Sequence, residues 1–313
     1  MTSRRYDVVT VGIQCIDIVS SPVPAGVLER ELTLVSSTQL MLGGDALNQA
    51  VVLSRLGARA GLMGVVGNDR LGDVLVEQLA QYPLDVLARR ADVNTAISQV
   101  LIEPSGERHF IYQPQSNLAL GLGLEHIDPE AVKSAEFLSV GGCLSLPGLD
   151  GEDMLRLLDM ARDAGTKTAL DFRLSDAMPD EAMLKSLLSR ADYVLPSERE
   201  AGALTGEADD PVEMVRRLRA LGAGNVVVKL GGRGCYVDAD GFTGMVAPFP
   251  CHCVDTTGAG DTFVGAFLYA RTRGWDIHTC ARFANAAGSI AVEHTGANAA
   301  IHSADQVLER MRG

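Results

Sequence analysis

Short, mainly apolar runs alternate along this chain with stretches in which apolar residues recur at helical spacing. The run Tyr6–Gly12 (YDVVTVG) is the first, and later ones lie at 61–66, 137–141, 167–171, 192–195 and 225–230. Helical spacing is found at 45–56, 69–81, 154–163, 182–189, 212–221, 261–272, 277–293 and 304–311. Strands without a polar face, joined by helices, belong to a mostly parallel sheet that helices cover on both sides. The sequence therefore predicts a doubly wound α/β fold.

Two segments interrupt this rhythm with the alternating pattern of exposed strands and no helical pattern. They lie at 15–42 and 95–113, and the second contains two strand-like runs around the turn at 104–106. We expect them to pair into one small sheet. Because ligands of doubly wound folds bind at the carboxyl ends of the strands, such a sheet can act as a lid. The sequence thus predicts one domain over residues 1–313, with lid segments at about 15–42 and 95–117.

Composition narrows the class of protein. Of the 313 residues, 47% are hydrophobic and 21% are charged, which excludes disordered and fibrous proteins. The net charge of −13 repels nucleic acids, although helix N-termini and a metal ion can still bind a nucleotide. The chain has no apolar run of membrane-spanning length, no signal-peptide core and only scattered cysteines. We expect a cytoplasmic protein without nucleic-acid or membrane partners.

The strongest local signal is the segment 255–263, which reads Asp-Thr-Thr-Gly-Ala-Gly-Asp-Thr-Phe and leads from a loop into a helix. The small residues Gly258, Ala259 and Gly260 let backbone N–H groups point into a concavity, where the helix dipole adds positive charge. This predicts an anion hole. Asp261 stands beside it, and a carboxylate next to an anion hole is what phosphoryl transfer to a hydroxyl needs. The alternative is that Asp261 only stabilises the helix N-terminus.

This segment resembles the second signature of the ribokinase-like (PfkB) carbohydrate kinases. The stretch from Gly-Gly-Asp-Ala-Leu-Asn-Gln-Ala at 43–50 to Gly72 resembles the first signature, and the likeness extends from about Asp7 to Ile301. The resemblance implies a ribokinase-like fold and an ATP-dependent kinase that phosphorylates a primary hydroxyl of a ribose- or fructose-type sugar. A nucleoside kinase and a non-catalytic sugar- or nucleotide-binding protein are the alternatives. An aromatic content of 5% favours a plain sugar over a nucleoside.

The family pattern also implies roles for individual residues around the acceptor. Asp261 would be the general base, and the amides of Gly258, Ala259 and Gly260 would stabilise the transferring phosphoryl group. The implied sugar-binding residues are Asp17, Gly43, Gly44, Asn48 and Arg108. The alternatives are a solvated loop acid at Asp17, a helix-surface amide at Asn48 and a solvated hairpin charge at Arg108. Further along, Gln113 and Asn117 are candidate acceptor contacts.

For the nucleotide, the resemblance implies a site formed by Lys229, Gly231, Gly234 and Asn285. Lys229 either faces phosphate or simply ends a strand. The family's Asn-x-x-Glu motif, which organises Mg²⁺ through water, is replaced by Ser197-x-x-Glu200. Glu200 keeps its position, whereas Ser197 is a departure whose direct role is in doubt, and a capping serine with a surface glutamate is the alternative.

Two further features follow from the family likeness. A monovalent cation, K⁺, would be held by Asp255, Thr257, Ala291, His294, Gly296 and Ala300, with the last four contributing backbone carbonyls. A homodimer would form through the lid. Asp45 stands where ribokinases have lysine, which argues against true ribokinase activity. Asp171 and Arg173 end a strand on the cleft side, but the family's spacing of Asp and Arg differs there, so no role is assigned to them.

Overall fold

The computed structural model describes residues 4–105, 107–112, 121–174, 178–207 and 209–313. The strands are β1 (Tyr6–Gly12), β2 (Cys15–Ser21), β3 (Ser37–Gly43), β4 (Ala60–Met63), β5 (Val65–Gly67), β6 (Leu84–Val86), β7 (Arg89–Ala91), β8 (Ile97–Ile102), β9 (Arg108–Tyr112), β10 (Ala135–Cys143), β11 (Lys167–Phe172), β12 (Tyr193–Val194), β13 (Asn225–Lys229), β14 (Cys235–Ala239) and β15 (Phe242–Val246). The α-helices are α1 (Asp45–Arg55), α2 (Arg70–Leu79), α3 (Pro129–Lys133), α4 (Glu152–Asp163), α5 (Glu181–Leu188), α6 (Glu198–Thr205), α7 (Pro211–Ala220), α8 (Ala259–Thr272), α9 (Ile277–Ala291) and α10 (Ala304–Arg312).

A large sheet forms the centre of the molecule. Within the described ranges its strand order is β15-β14-β13-β12-β11-β10-β1-β4-β6. The strands from β13 to β6 run parallel, whereas β14 and β15 form an antiparallel hairpin at one edge. The predicted mostly parallel α/β sheet is confirmed. The edge hairpin was not predicted, because alternate side chains of β15 are exposed and the strand therefore has no continuous apolar run.

The apolar strands bury side chains on both faces of this sheet. In β1, Val9 and Val11 pack into a core with α3 to α7, while Val8 packs into a second core with α8 to α10. The same alternation occurs in β13, where Val226 and Val227 face opposite cores. Because successive strand side chains point to opposite faces, a run that is mainly apolar fits between two helical layers.

The two strand-like segments do pair into one small sheet, whose order is β3-β2-β8-β9. β2 and β8 join the two segments in parallel register, with Ile16 opposite Ile97. One detail of the expectation was wrong, since the first segment contains a 3-10 turn at Val27–Glu29. Gly26 precedes that turn in the left-handed conformation, which supplies the reversal that the alternating pattern does not reveal.

The topology places the carboxyl ends of β1 and β10 at the point where the strand order reverses. From β1 the chain moves to β4 and β6 on one side and returns to β10 on the other. Such a reversal opens a crevice at the carboxyl ends of parallel strands. The start of α1 lies over it, because a Cβ added at Gly141 would be 2.6 Å from the nitrogen of Ala46. No described helix has both the length and the apolar character needed to cross a membrane.

Candidate active site

Two cavities open on either side of the loop that leads into α8. We call the first the acidic cavity; it has a volume of about 280 Å³ and is bordered by Asp17, Asp45 and Asp261. We call the second the glycine-rich cavity; it has a volume of about 230 Å³ and is bordered by Lys229 and the glycines that follow β13. Thr256 lines both cavities. Only the loop at 256–260 therefore separates them at this point.

Residues implied as sugar ligands and as base are brought together at the acidic cavity. The predicted residues on its wall are Asp17, Gly44, Asn48, Gly258 and Asp261. Gly43 lies directly behind them, because a Cβ added there would be only 2.3 Å from Oδ2 of Asp17. A side chain at this position would displace the carboxylate, so glycine is required by packing.

Asp261 lies buried in the first turn of α8, which has Gly258 as its N-cap. Its Oδ2 accepts a hydrogen bond of 2.8 Å from Nδ2 of Asn48. Burial raises the pKa of Asp261 well above its usual value, and the nearby carboxylates of Asp45 and Asp171 raise it further. A carboxylate with a raised pKa is a stronger proton acceptor than a solvated one, which suits it to take a proton from a hydroxyl.

The start of α8 is shaped for an anion. Gly258 has a φ of +70°, and a Cβ at this position would stand 2.2 Å from the backbone oxygen of Ala297. Both the left-handed backbone and the close approach exclude other residues. The helix that begins at Ala259 directs the positive end of its dipole toward this point. The N–H of Ala259 donates to the carbonyl of Thr256 at 3.3 Å. The anion hole formed by Gly258, Ala259 and Gly260 stays a prediction, as does its role in catalysis.

Asp17 is buried on β2, and it is not a solvated loop acid. Its Oδ1 accepts a hydrogen bond of 3.5 Å from the thiol of Cys15. Burial raises the pKa of Asp17 to about 6. The carboxylate is therefore held in the cavity wall at an energetic cost to the fold, as functional carboxylates often are.

The glycine-rich cavity collects all the residues implied for the nucleotide. Lys229, Gly231, Gly234 and Asn285 line it, together with Ala259 and Gly260 at the start of α8. The side-chain amide of Asn285 donates to the carbonyls of Val246 and Ala247 at 3.0 and 3.1 Å. Asn285 thus shapes the wall of the cavity by holding the chain that follows β15.

Lys229 does more than end a strand. Its Nζ forms a buried ion pair of 2.5 Å with Asp171, whose other oxygen accepts from Gln49 at 2.9 Å. Burial alone would lower the pKa of Lys229, but Asp171 and Glu200 leave it raised, so the ammonium stays charged. A Cβ built on Gly260 would lie 3.5 Å from this Nζ. The cation therefore stands immediately behind the start of α8.

Ser197 and Glu200 form a capping box at the start of α6. The backbone N–H of Ser197 donates to Oε2 of Glu200 at 2.7 Å, and the N–H of Glu200 donates to the Ser197 hydroxyl at 3.3 Å. For Ser197 this is the capping role that the sequence left open. Glu200 also acts on its surroundings, because its charge raises the pKa values of Lys229 and Asp171.

The residues implied for a monovalent cation lie in the loop before α8, at the last residue of α9 and in the loop that follows α9, and Asp255 ties the two loops together. One oxygen of Asp255 accepts from the backbone N–H and the hydroxyl of Thr257, at 2.9 and 2.7 Å. The other accepts from the N–H of Gly296 at 2.9 Å. The carbonyl of Ala291 accepts from the N–H of His294, and that of Ala300 accepts from Gln306. The loops are thus joined behind the anion hole.

Some of the implied acceptor contacts lie outside the described residues. These are Gln113, Asn117 and the side chain of Arg108. In their neighbourhood the structure places a different residue of β9, Phe110, on the wall of the acidic cavity.

Several wall residues of the acidic cavity were missed as site residues. They are Asp45, Ser98, Phe110 and Arg173. Nη1 of Arg173 lies 3.7 Å from Oδ2 of Asp45, so the wall carries a cation beside its acids. The signal for Asp45 was its unusual place in the first signature. Arg173 and the buried Asp171 stand at the end of a strand in the sequence. Their spacing differs from that of the family's Asp and Arg, so no role was predicted for them.

Comparison with known proteins identifies the family and the fold of the chain. The model of the pfkB family carbohydrate kinases matches residues 6–304. Fructokinase-1 of Oryza sativa subsp. japonica is 30% identical over 325 residues, which cover 99% of both chains. The solved ribokinase of Thermotoga maritima has a TM-score of 0.84 at 25% identity, covering 98% of this chain and 100% of that one. An Arabidopsis thaliana ribokinase solved in complex with ribose and ATP has a TM-score of 0.81 at 24% identity, covering 98% and 99%. The chain therefore belongs to the pfkB family of carbohydrate kinases and is a sugar phosphotransferase with a ribokinase-like fold.

Proposed function

We propose that this enzyme transfers the γ-phosphoryl group of ATP to a primary hydroxyl of a ribose- or fructose-type sugar. The sugar binds in the acidic cavity and ATP in the glycine-rich cavity. The names of the relatives support this class of substrate, since they include a fructokinase and a ribokinase that was solved with ribose and ATP.

One observation carries the proposal. The two cavities meet at a single loop, where Thr256 borders both, Gly258 faces the acidic cavity and Gly260 faces the other. A phosphoryl group that passes from one cavity to the other must cross the N-terminus of α8. Backbone N–H groups aimed at that point stabilise the negative charge of the transferring group.

The proton of the acceptor hydroxyl passes to Asp261. Asn48 holds this carboxylate at 2.8 Å, and Asp17 binds other hydroxyls of the sugar as a hydrogen-bond acceptor. The ammonium of Lys229 attracts the phosphates from behind the anion hole. Each group is positioned before substrate arrives, so little reorganisation is needed when charge develops.

Glu200 would hold Mg²⁺ through water, and its charge acts on Lys229 in the wall of the glycine-rich cavity. The N–H of Ser197 uses one of about four lone-pair sites of Glu200, so the carboxylate can still hold water of a hydrated cation. When bound, Mg²⁺ neutralises phosphate charge. K⁺ is proposed beside Asp255, whose carboxylate links Thr257 to Gly296, and it would stabilise the loop that leads into α8.

The small sheet is proposed as the lid of a single domain over residues 1–313. β9 reaches the acidic cavity through Phe110, and β2 contributes Asp17, so movement of the sheet would open or close the sugar site. Closure would exclude water from the phosphoryl group. Leu40 and Ile111 leave apolar surface exposed on the same sheet, which supports a homodimer through the lid. A cytoplasmic location stays a prediction.

The test is ADP formation with ATP, Mg²⁺ and a panel of fructose, ribose and adenosine. We expect acceptor-dependent ADP with one of the sugars and a phosphorylated sugar of matching mass. ADP formed only with adenosine would contradict the sugar assignment and favour a nucleoside kinase. If no acceptor raises ADP formation above the rate without acceptor, the proposed acceptor class is contradicted and a sugar- or nucleotide-binding role is favoured.

A further inference from the structure

Asn298 is a buried amide with no role in the reaction described above. It lies in the loop after α9, between the end of β3 and the start of α1, and it is 7% exposed. Its Nδ2 donates to the carbonyl of Leu42 at 3.1 Å and to Oδ1 of Asn48 at 2.9 Å. Both N–H groups of the amide are thereby used, and both partners are acceptors.

This arrangement fixes which way the amide of Asn48 points. With Oδ1 of Asn48 bound to the Asn298 donor, its Nδ2 must lie on the opposite side, where Oδ2 of Asp261 accepts at 2.8 Å. If the Asn48 amide were rotated by half a turn, its NH₂ would face the NH₂ of Asn298, and its oxygen would face the carboxylate. Both contacts of that orientation are repulsive, so only one orientation is stable.

We infer that Asn298 is a positioning residue that keeps the amide of Asn48 on one oxygen of Asp261 and so leaves the other oxygen for the acceptor hydroxyl. The orientation of the Asn48 amide follows from the geometry alone. The use of the other oxygen by the acceptor hydroxyl rests on the proposed function. The inference adds a residue from the loop after α9 to a site otherwise formed by α1, α8 and the ends of strands.

A second set of contacts ties the same loop to the start of α8. The N–H of Gly296 donates to Asp255, and the carbonyl of Ala297 lies so close to Gly258 that no Cβ would fit between them. The three consecutive residues 296–298 thus fix the position of the loop before α8 relative to the Asn48 amide on α1. A shift of this loop would move the base and its partner relative to each other.

The charges that face Asp261 determine what loss of this alignment would do. Asp45 at the start of α1 and Asp171 at the end of β11 raise the pKa of the carboxyl, while Lys229 at the end of β13 and the N–H of Asn48 lower it. Burial is the largest contribution and acts upward. Without the hydrogen bond donated by Asn48, the pKa of Asp261 would rise further, so the carboxylate would protonate at higher pH.

The test replaces Asn298 with leucine, which keeps the branched shape of the side chain, removes both donors and adds no charge. We expect the acidic limb of the kcat profile to move up by about one pH unit, since a hydrogen bond to a charged group is worth roughly one such unit. The KM for ATP should stay unchanged. Asn298→Ser keeps one donor and should give a smaller shift, which covers the case that Asn298→Leu does not fold.

The matched control is Asn225→Leu, at the start of β13. Asn225 also donates through Nδ2 to a carbonyl, that of Asp192 at 2.8 Å, but it lies away from both cavities. Its profile should match that of the parent. The pKa of Asp261 is also measured directly, by NMR of ¹³C-labelled aspartate carboxyls, with Asp261→Asn providing the assignment.

The NMR readout separates this inference from the proposed function. If Asp261→Asn keeps full activity, the assigned base is wrong, yet the pKa of Asp261 should still rise in Asn298→Leu. Folded Asn298→Leu and Asn298→Ser variants in which neither that pKa nor the acidic limb moves would overturn the inference. A lower kcat without either shift would likewise reduce Asn298 to a structural role.

Discussion

Asn48, near the start of α1, donates a hydrogen bond of 2.8 Å to Asp261 in the first turn of α8, 213 residues later in the chain. The bond joins the two sequence segments that resemble the family signatures. Both residues are buried, so the bond is protected from competing water. The two signatures therefore describe one site, formed at the N-termini of α1 and α8, which pack against each other on one face of the central sheet.

The N-terminus of α8 should tolerate no side chain at Gly258. In Gly258→Ala the new Cβ would collide with the carbonyl of Ala297, so the loop must move. Its N–H groups would then no longer point at the transferring phosphoryl group. Because one lost oxyanion donor lowers kcat by about 10²- to 10³-fold, we expect a loss of at least ~100-fold in steady-state assays.

The control is Gly274→Ala. Gly274 has a φ of +74°, close to the +70° of Gly258, but an added Cβ meets nothing within 4 Å. Both variants should lose about 1 kcal/mol of stability from backbone strain. Equal kcat values in the two variants would show that the loss at Gly258 reflects strain and not the geometry of the anion hole.

Asp17→Asn should stabilise the protein while it weakens acceptor binding. Burial raises the pKa of Asp17 from 3.8 to about 6. The cost of keeping the carboxylate ionised in the folded state therefore builds up between these two pH values and is complete above about pH 6. A shift of about two units corresponds to at most about 3 kcal/mol. Below pH 4 both folded and unfolded carboxyls are protonated, and the difference should vanish.

Urea unfolding of both proteins between pH 4 and pH 8 tests this prediction. The stability advantage of Asp17→Asn over the parent should grow as the pH rises from 4 to 6 and stay constant above pH 6. The variant should also have a higher KM for the sugar. An advantage that is greatest at pH 4 would reverse the predicted sign and contradict the assignment of a burial-raised pKa.

The buried pair of Lys229 and Asp171 should act in both stability and nucleotide binding. Lys229→Met leaves Asp171 without its cation, which we expect to destabilise the fold by about 3 kcal/mol at neutral pH. Adding Asp171→Asn should restore most of this stability, because no unpaired charge remains. The KM for ATP should stay raised in the double variant, since the cation behind the anion hole is still missing. A KM for ATP that returns to the parent value would contradict a role for Lys229 toward phosphate.

Asp45 and Arg173 should influence which sugar is accepted. Their side chains face each other at 3.7 Å on the wall of the acidic cavity. Hydrogen bonds to charged groups contribute roughly 1.5–3 kcal/mol, so Arg173→Met should raise the acceptor KM about tenfold or more. The KM for ATP serves as the internal control. An unchanged ratio of kcat/KM between fructose and ribose in both Arg173→Met and Asp45→Asn would contradict this role.

Much of the fold follows from the local sequence pattern. Apolar runs such as that of β13 fit only between two helical layers, and the structure places them there. The hairpin of β14 and β15 could not be predicted in the same way, because its strands at the sheet edge need not be apolar throughout. The turn at Val27–Glu29 depends on Gly26 adopting a left-handed backbone, which the alternating pattern does not encode.

The site could be predicted only in part, for a similar reason. Asp261 and Asn48 stand in signature segments that are recognisable from their neighbours in the chain. Asn298 and Arg173 lie outside such segments and reach the site through long-range packing. Their contacts, with Asn48 and with Asp45, depend on loops that the order of residues alone does not place.

The most direct measurement is phosphoryl transfer by Asp261→Asn under saturating ATP and sugar. Asparagine keeps the size of the side chain but cannot take the hydroxyl proton at neutral pH. A general base contributes about 10²- to 10⁴-fold, so we predict a fall of kcat in that range with an unchanged Kd for ATP. The Tm at neutral pH should be no lower than that of the parent, because burial raises the pKa of Asp261 and so opposes folding with the carboxylate ionised. Asp261→Asn that forms sugar phosphate at the parent rate would contradict the account.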